Sequence, residues 1–81
     1  MSTMFPLTQA RAGAAVRVVR LSEPAEDDTE LLRYFESKHL VPGRVVRVRE
    51  IAPSGHLVVA LDQESIIIDP HIAASLWVVA A

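Results

Sequence analysis

Hydrophobic positions along this chain change their spacing several times, and each spacing predicts a different element. Residues 15–21, "AVRVVRL", interleave arginine with β-branched residues. Residues 44–51, "RVVRVREI", place Val46 and Val48 on one face and Arg47 and Arg49 on the other. Period-two patterns of this kind predict strands with one wet face. "LVVAL" (57–61) and "SIIID" (65–69) predict a hairpin closed at Asp62-Gln63, a weaker turn signal than Asn-Gly. "LWVVA" (76–80) predicts a last short strand.

Between Thr29 and Lys38 the period becomes helical. Leu31, Leu32 and Phe35 share one face, while Glu30, Arg33, Glu36 and Lys38 take the other, which predicts one amphipathic helix of three turns. Asp27 is the expected N-cap, with Glu30 three positions on completing an Asp variant of the capping box. Acidic groups there also oppose the positive end of the helix dipole. The helix must stop before "VPG", because Pro42 biases Val41 toward an extended backbone and Gly43 permits a turn. His39 is then its expected end. "PHIAAS" (70–75) predicts a single helical or 3₁₀ turn with Pro70 first.

Five short strands and one helix cannot build an open sheet covered on both faces in 81 residues. The economical solution is mainly β: a small SH3-like five-stranded barrel with one helix between strands 1 and 2. Residues 1–14 form a lead-in segment, and residues 15–81 the SH3-like domain. Its expected core is Val16, Val18, Leu31, Leu32, Phe35, Val46, Val48, Leu57, Val59, Ile66, Ile68, Leu76 and Val78.

Composition narrows the function. Hydrophobic residues make up 51% of the chain and charged residues 22%, as expected for a folded domain. No apolar run approaches the roughly 20 residues of a membrane span, so no membrane insertion is expected. The start, "MSTMFPL", has neither a basic n-region nor an apolar h-region, and with no cysteine the cytoplasm is the expected compartment. A net charge of -2 and the lack of a base-reading helix argue against direct nucleic-acid contact.

Chemistry concentrates at "LSEPAEDDTELL", where Glu23, Glu26, Asp27, Asp28 and Glu30 fall within eight residues. Read from the residues alone, this is a capped helix start with solvated charges. His39, His56 and His71 are scattered without zinc-ligand spacing. Arg17, Arg47 and Arg49 would form a basic stripe across neighbouring strands, an ordinary pattern for a wet sheet face. Trp77 on the last strand is expected in the core. Without a cysteine, a serine elbow or a phosphate loop, the chain is not expected to be an enzyme.

The run "PLTQ…G…VRVVRLSE", then "D…ELLRYF", "LVPG" opening a strand and "HIAASLWV" near the end resembles the C-terminal SH3-like domain of the diphtheria-toxin-repressor family of iron- and manganese-dependent transcriptional regulators. The resemblance covers nearly the whole chain. It implies a regulatory domain that packs on the metal-sensing and DNA-binding units of the same protein. In that family a Glu at the end of the first strand and a Gln three residues later serve an ancillary metal site. They fall on Glu23 and Glu26, the second an exchange of Gln for a carboxylate. The implied cofactor is Fe²⁺ or Mn²⁺, held weakly or not at all by the isolated domain.

Ferrous-iron-transport protein A shares the fold, and is the alternative: a free-standing accessory protein binding a cytoplasmic domain of an iron permease. Proteins of that type usually carry a Leu-Gly-Leu-x-Pro-Gly turn, where this chain has "KHLVPG". In both groups a Gly is common where His39 stands. A plain peptide-binding SH3 module is a third class, for which the chain has few aromatics: Phe5, Tyr34, Phe35 and Trp77.

Overall fold

The alternating segments pair into one antiparallel sheet. The computed structural model describes residues 3–22 and 27–81. Strands β1 (Phe5–Pro6), β2 (Ala15–Leu21), β3 (Val45–Ile51), β4 (Leu57–Leu61), β5 (Glu64–Ile68) and β6 (Leu76–Ala80) stand in the order β1-β6-β2-β3-β4-β5. Helix α1 (Thr29–Ser37) connects β2 to β3, and the short helix α2 (Pro70–Ala73) connects β5 to β6. The fold is SH3-like and mainly β, as the periodicity predicts.

The sixth strand is β1, whose Phe5 and Pro6 lie opposite Val78 and Trp77. A two-residue strand containing Pro leaves no alternation to read, and Pro is tolerated there because β1 is an edge. Register shifts between Val18 and Arg20 on β2 and between Val48 and Glu50 on β3 bend the sheet, as bulges do.

The inner face of the sheet and the helices enclose a single core. Val16, Val18, Phe35, Val46, Val48, Leu57, Val59, Ile68, Leu76 and Val78 are buried in it as expected. Leu31 and Leu32 are only half-buried, because a helix of this length on a small sheet keeps its flanks near water, and so is Ile66 on the edge strand β5. Leu7, Ala10, Leu40, Leu61 and Ala73 join the core; of these only Leu61, in phase with Leu57 and Val59 on β4, follows the alternation. Leu7 is carried inward by a 3₁₀ turn over Leu7–Gln9.

Trp77 is half-buried rather than central, since Leu76 and Val78 take the inward positions of β6. The β4–β5 hairpin closes at Asp62, whose positive φ of 51° supplies the backward twist of a two-residue link. Strand β5 starts and ends one residue earlier than the pattern predicts, which releases Asp69 to cap α2. Its carboxylate accepts the His71 N–H at 2.7 Å.

Helix α1 ends through His39, which adopts φ 60°. The Leu40 N–H donates to the Phe35 carbonyl at 2.8 Å and the His39 N–H to the Glu36 carbonyl at 3.0 Å, the paired bonds of a Schellman ending. Leu40 and Phe35 are both buried, completing the apolar contact that accompanies it. A left-handed backbone is costly for a residue with a Cβ. His39→Gly is therefore expected to stabilise the domain by about 0.5–1 kcal/mol after the greater unfolded-state freedom of glycine is subtracted. The denaturant midpoint measures this. A fall would mean that the imidazole, which lines a polar cleft with Lys38 and Arg44, contributes more than the backbone relief.

Candidate functional site

The start of α1 and the start of α2 approach one another where β2 ends and β6 begins. The Ser22 N–H donates to the Ser75 carbonyl at 2.9 Å, tying the end of β2 to the turn before β6. A cleft of about 520 Å³ opens here, lined by Ser22, Asp28, Leu31, His71, Ile72 and Ser75 with Ala74. Its floor is apolar and its edge carries one carboxylate, one imidazole and two hydroxyls. Ser22 and Asp28 stand on either side of residues 23–26 in the sequence.

Glu23 and Glu26 themselves lie outside the described residues. Asp28, not Asp27, is the N-cap: its Oδ1 accepts the Leu31 N–H at 3.1 Å. A helix beginning at Thr29 puts Glu30 second rather than third, so the capping box does not form, while Glu30 still faces the positive helix end. Asp27 is exposed. Asp28→Ala is expected to cost about 1 kcal/mol and Asp27→Ala close to nothing; paired thermal melts separate the two.

His71 lines the cleft while its backbone N–H is held by Asp69. Sequence inspection places it at a helix start but gives no reason to join it to Asp28, 43 positions away, because the meeting of α1 with α2 is tertiary. Among the described residues no group of three or more His, Asp or Glu side chains could hold a metal ion. The cleft can supply oxygen and imidazole donors, yet not a complete metal shell by itself.

On the neighbouring turn, Ser54 Oγ and His56 Nδ1 are 2.9 Å apart, and His56 Nε2 lies 3.6 Å from Asp69 Oδ2. Serine, histidine and aspartate thus stand in a row, but the His56 and Asp69 side chains are 42% and 48% exposed, and Asp69 is committed to capping α2. The row fastens the β3–β4 turn to α2. Tyr34 is nearby, its phenol raised above the ordinary value of 10.0 by burial first and by the charge of Asp69 second. The neutral phenol is the form the fold favours, so stability is intact below pH 10.0 and falls as the pH rises from there toward the folded-state value.

A second cleft, about 420 Å³ and mostly apolar, lies between α1 and β2, with Leu32, Phe35, Leu40 and Leu76 inside and Arg20 and Glu36 among its lining residues. Arg44 pairs with Asp62 at 2.8 Å. No described helix is long and apolar enough to cross a membrane.

The sequence matches the FeoA domain over residues 5–80. The chain belongs to the FeoA-domain family. Three solved structures share its fold closely. A manganese-dependent transcriptional repressor matches at 27% identity and a TM-score of 0.86, over 100% of this chain and 44% of that one. A manganese-dependent transcriptional repressor in complex with manganese matches at 25% identity and 0.85, over 100% and 38%. The iron uptake regulatory protein FeoA matches at 20% identity and 0.84, over 98% of this chain and 100% of that protein. The chain thus spans less than half the length of the repressors it matches and the full length of that FeoA. Among curated proteins none matches significantly. The same fold therefore occurs both as part of longer repressors and as a whole protein.

Proposed function

We propose that this chain acts as the regulatory SH3-like domain of a metal-dependent transcriptional repressor. It packs on the metal-sensing and DNA-binding units of that protein in the cytoplasm and lends Glu23 and Glu26 to an ancillary site for Fe²⁺ or Mn²⁺. The observation that carries this reading is the match over the whole chain to a manganese-dependent repressor at 27% identity. Hard carboxylate oxygens suit such ions. Two carboxylates repel one another and leave most of the shell empty, so the domain alone is expected to bind Mn²⁺ with Kd on the order of millimolar. The remaining ligands come from the other units. The domain does no chemistry and makes no contact with DNA.

The second reading is a free-standing ferrous-iron-transport accessory protein that binds a cytoplasmic domain of an iron permease, supported by the end-to-end match to FeoA. One experiment separates them. The matching domain of a manganese-dependent repressor is exchanged for this chain, and operator binding is titrated with Mn²⁺. Metal-dependent binding at a midpoint near that of the parent repressor supports the first reading. A chimaera that folds but no longer responds to metal, together with co-sedimentation of this chain with a permease cytoplasmic domain, supports the second.

A further inference from the structure

The outer face of the sheet carries a cluster of arginines. Arg17 on β2 and Arg47 and Arg49 on β3 are exposed, as is Arg11 in the loop leading into β2. Register fixes their spacing: Arg17 lies opposite Val45, and Arg47 lies between Ala15 on β2 and Ala60 on β4. Arg47 is held in place, its Nη1 donating to the Gly13 carbonyl at 2.7 Å. Between the arginines is a shallow depression of about 260 Å³, with Ala15, Val45 and Ala60 in its floor and Arg47, Arg49 and Asp62 in its wall. Val45 is 44% exposed there.

Surface arginines that serve only solubility are interspersed with carboxylates. Here the ion pairs among the described residues are Arg44–Asp62 and His56–Asp69, and neither involves Arg11, Arg17, Arg47 or Arg49. Asp62 is already bound by Arg44 at 2.8 Å. The other carboxylate bordering the face is Glu50, exposed and opposite Val58.

We propose that this face docks an acidic, extended segment of a partner protein. Its carboxylates pair with the forked guanidinium groups of Arg17, Arg47 and Arg49, a geometry arginine matches better than lysine. A small apolar side chain between them covers Ala15, Val45 and Ala60. Glu50 and Asp62 make a poor seat for the unbroken charge of a nucleic-acid backbone, whereas separated carboxylates fit between them. Rim charges of this kind govern partner choice and rate of association, and their effect is screened by salt.

The test is fluorescence anisotropy of the chain with three labelled probes of equal length: a peptide alternating Glu and Val, the same peptide with Gln for Glu, and a single-stranded oligonucleotide. The acidic peptide is expected to bind, to weaken as salt rises, and to lose about ten-fold in affinity to the variant Arg17→Gln with Arg49→Gln. Neither residue makes a side-chain hydrogen bond to another described residue, so an unchanged melting temperature accompanies the loss; Arg11→Gln with Arg17→Gln serves if that variant is unstable. Equal binding of the Gln peptide, unchanged affinity of the variants, tighter binding of the oligonucleotide, or arginine-dependent self-association in sedimentation would each overturn the assignment.

Discussion

Alanine in place of Phe35 is expected to cost about 3–5 kcal/mol, enough to unfold a large share of a domain this small. Phe35 is 2% exposed and sits at three junctions at once. It faces the sheet from α1, its carbonyl accepts the Leu40 N–H that ends the helix, and its ring meets Tyr34 edge-on at 5.5 Å and 75°. Truncation removes ring contacts and opens the adjoining apolar cleft further, so the walls cannot collapse without moving Leu40 and Leu76. Leu32→Ala is the internal comparison. It sits on the same helix and in the same cleft, yet half in water, and is expected to cost less than half as much. Equal denaturant midpoints for the two variants would place Phe35 outside the core.

That contrast shows where the sequence is legible. Val46 and Val48 could be placed inward because a strand has only two faces, and one choice sends Arg47 and Arg49 to water. Leu31, Leu32 and Phe35 share a helical stripe, but the stripe does not say which residue lies at the middle of the contact; only Phe35 is fully buried. Leu7 and Leu40 belong to no period. Each is brought in by a turn, the 3₁₀ turn at Leu7–Gln9 in one case and the left-handed His39 in the other. Propensity marks such turns and does not tell where they send the next side chain. The helix cap was displaced by one residue for a related reason. Asp27 and Asp28 offer the same chemistry, and which one caps depends on where packing of Phe35 fixes the first turn.

The candidate site divides in the same way. Its one described carboxylate, Asp28, is legible locally as a helix-cap residue, whereas His71, Ile72 and Ser75 arrive from the far end of the chain by tertiary packing. The arginine face is legible as alternation, but its apolar floor follows from register, since Ala15, Val45 and Ala60 come from three strands.

Replacing both Glu23 and Glu26 by alanine is expected to leave this domain folded and to shift metal activation by about ten-fold or more when the chain stands in a repressor. Fold and function separate because the helix start depends on Asp28, whose carboxylate caps Leu31, and the core contains no polar or charged side chain among its described residues. Removing two carboxylates also relieves their mutual repulsion, so the melting temperature is expected to hold or rise slightly. The metal response moves the other way. If Glu23 and Glu26 are ligands as proposed above, a divalent ion loses charge neutralisation and two ligands together, and even outer partners of a metal are worth about 10–100-fold in affinity. Operator binding by the chimaeric repressor, titrated with Mn²⁺, should therefore reach its midpoint at about ten-fold higher metal or beyond. Asp28→Ala is the opposite control, lowering the melting temperature while leaving the midpoint in place. If the double variant titrates like its parent and only Asp28→Ala has any effect, the acidic stretch is a helix cap with solvated neighbours, and the metal is held without this domain.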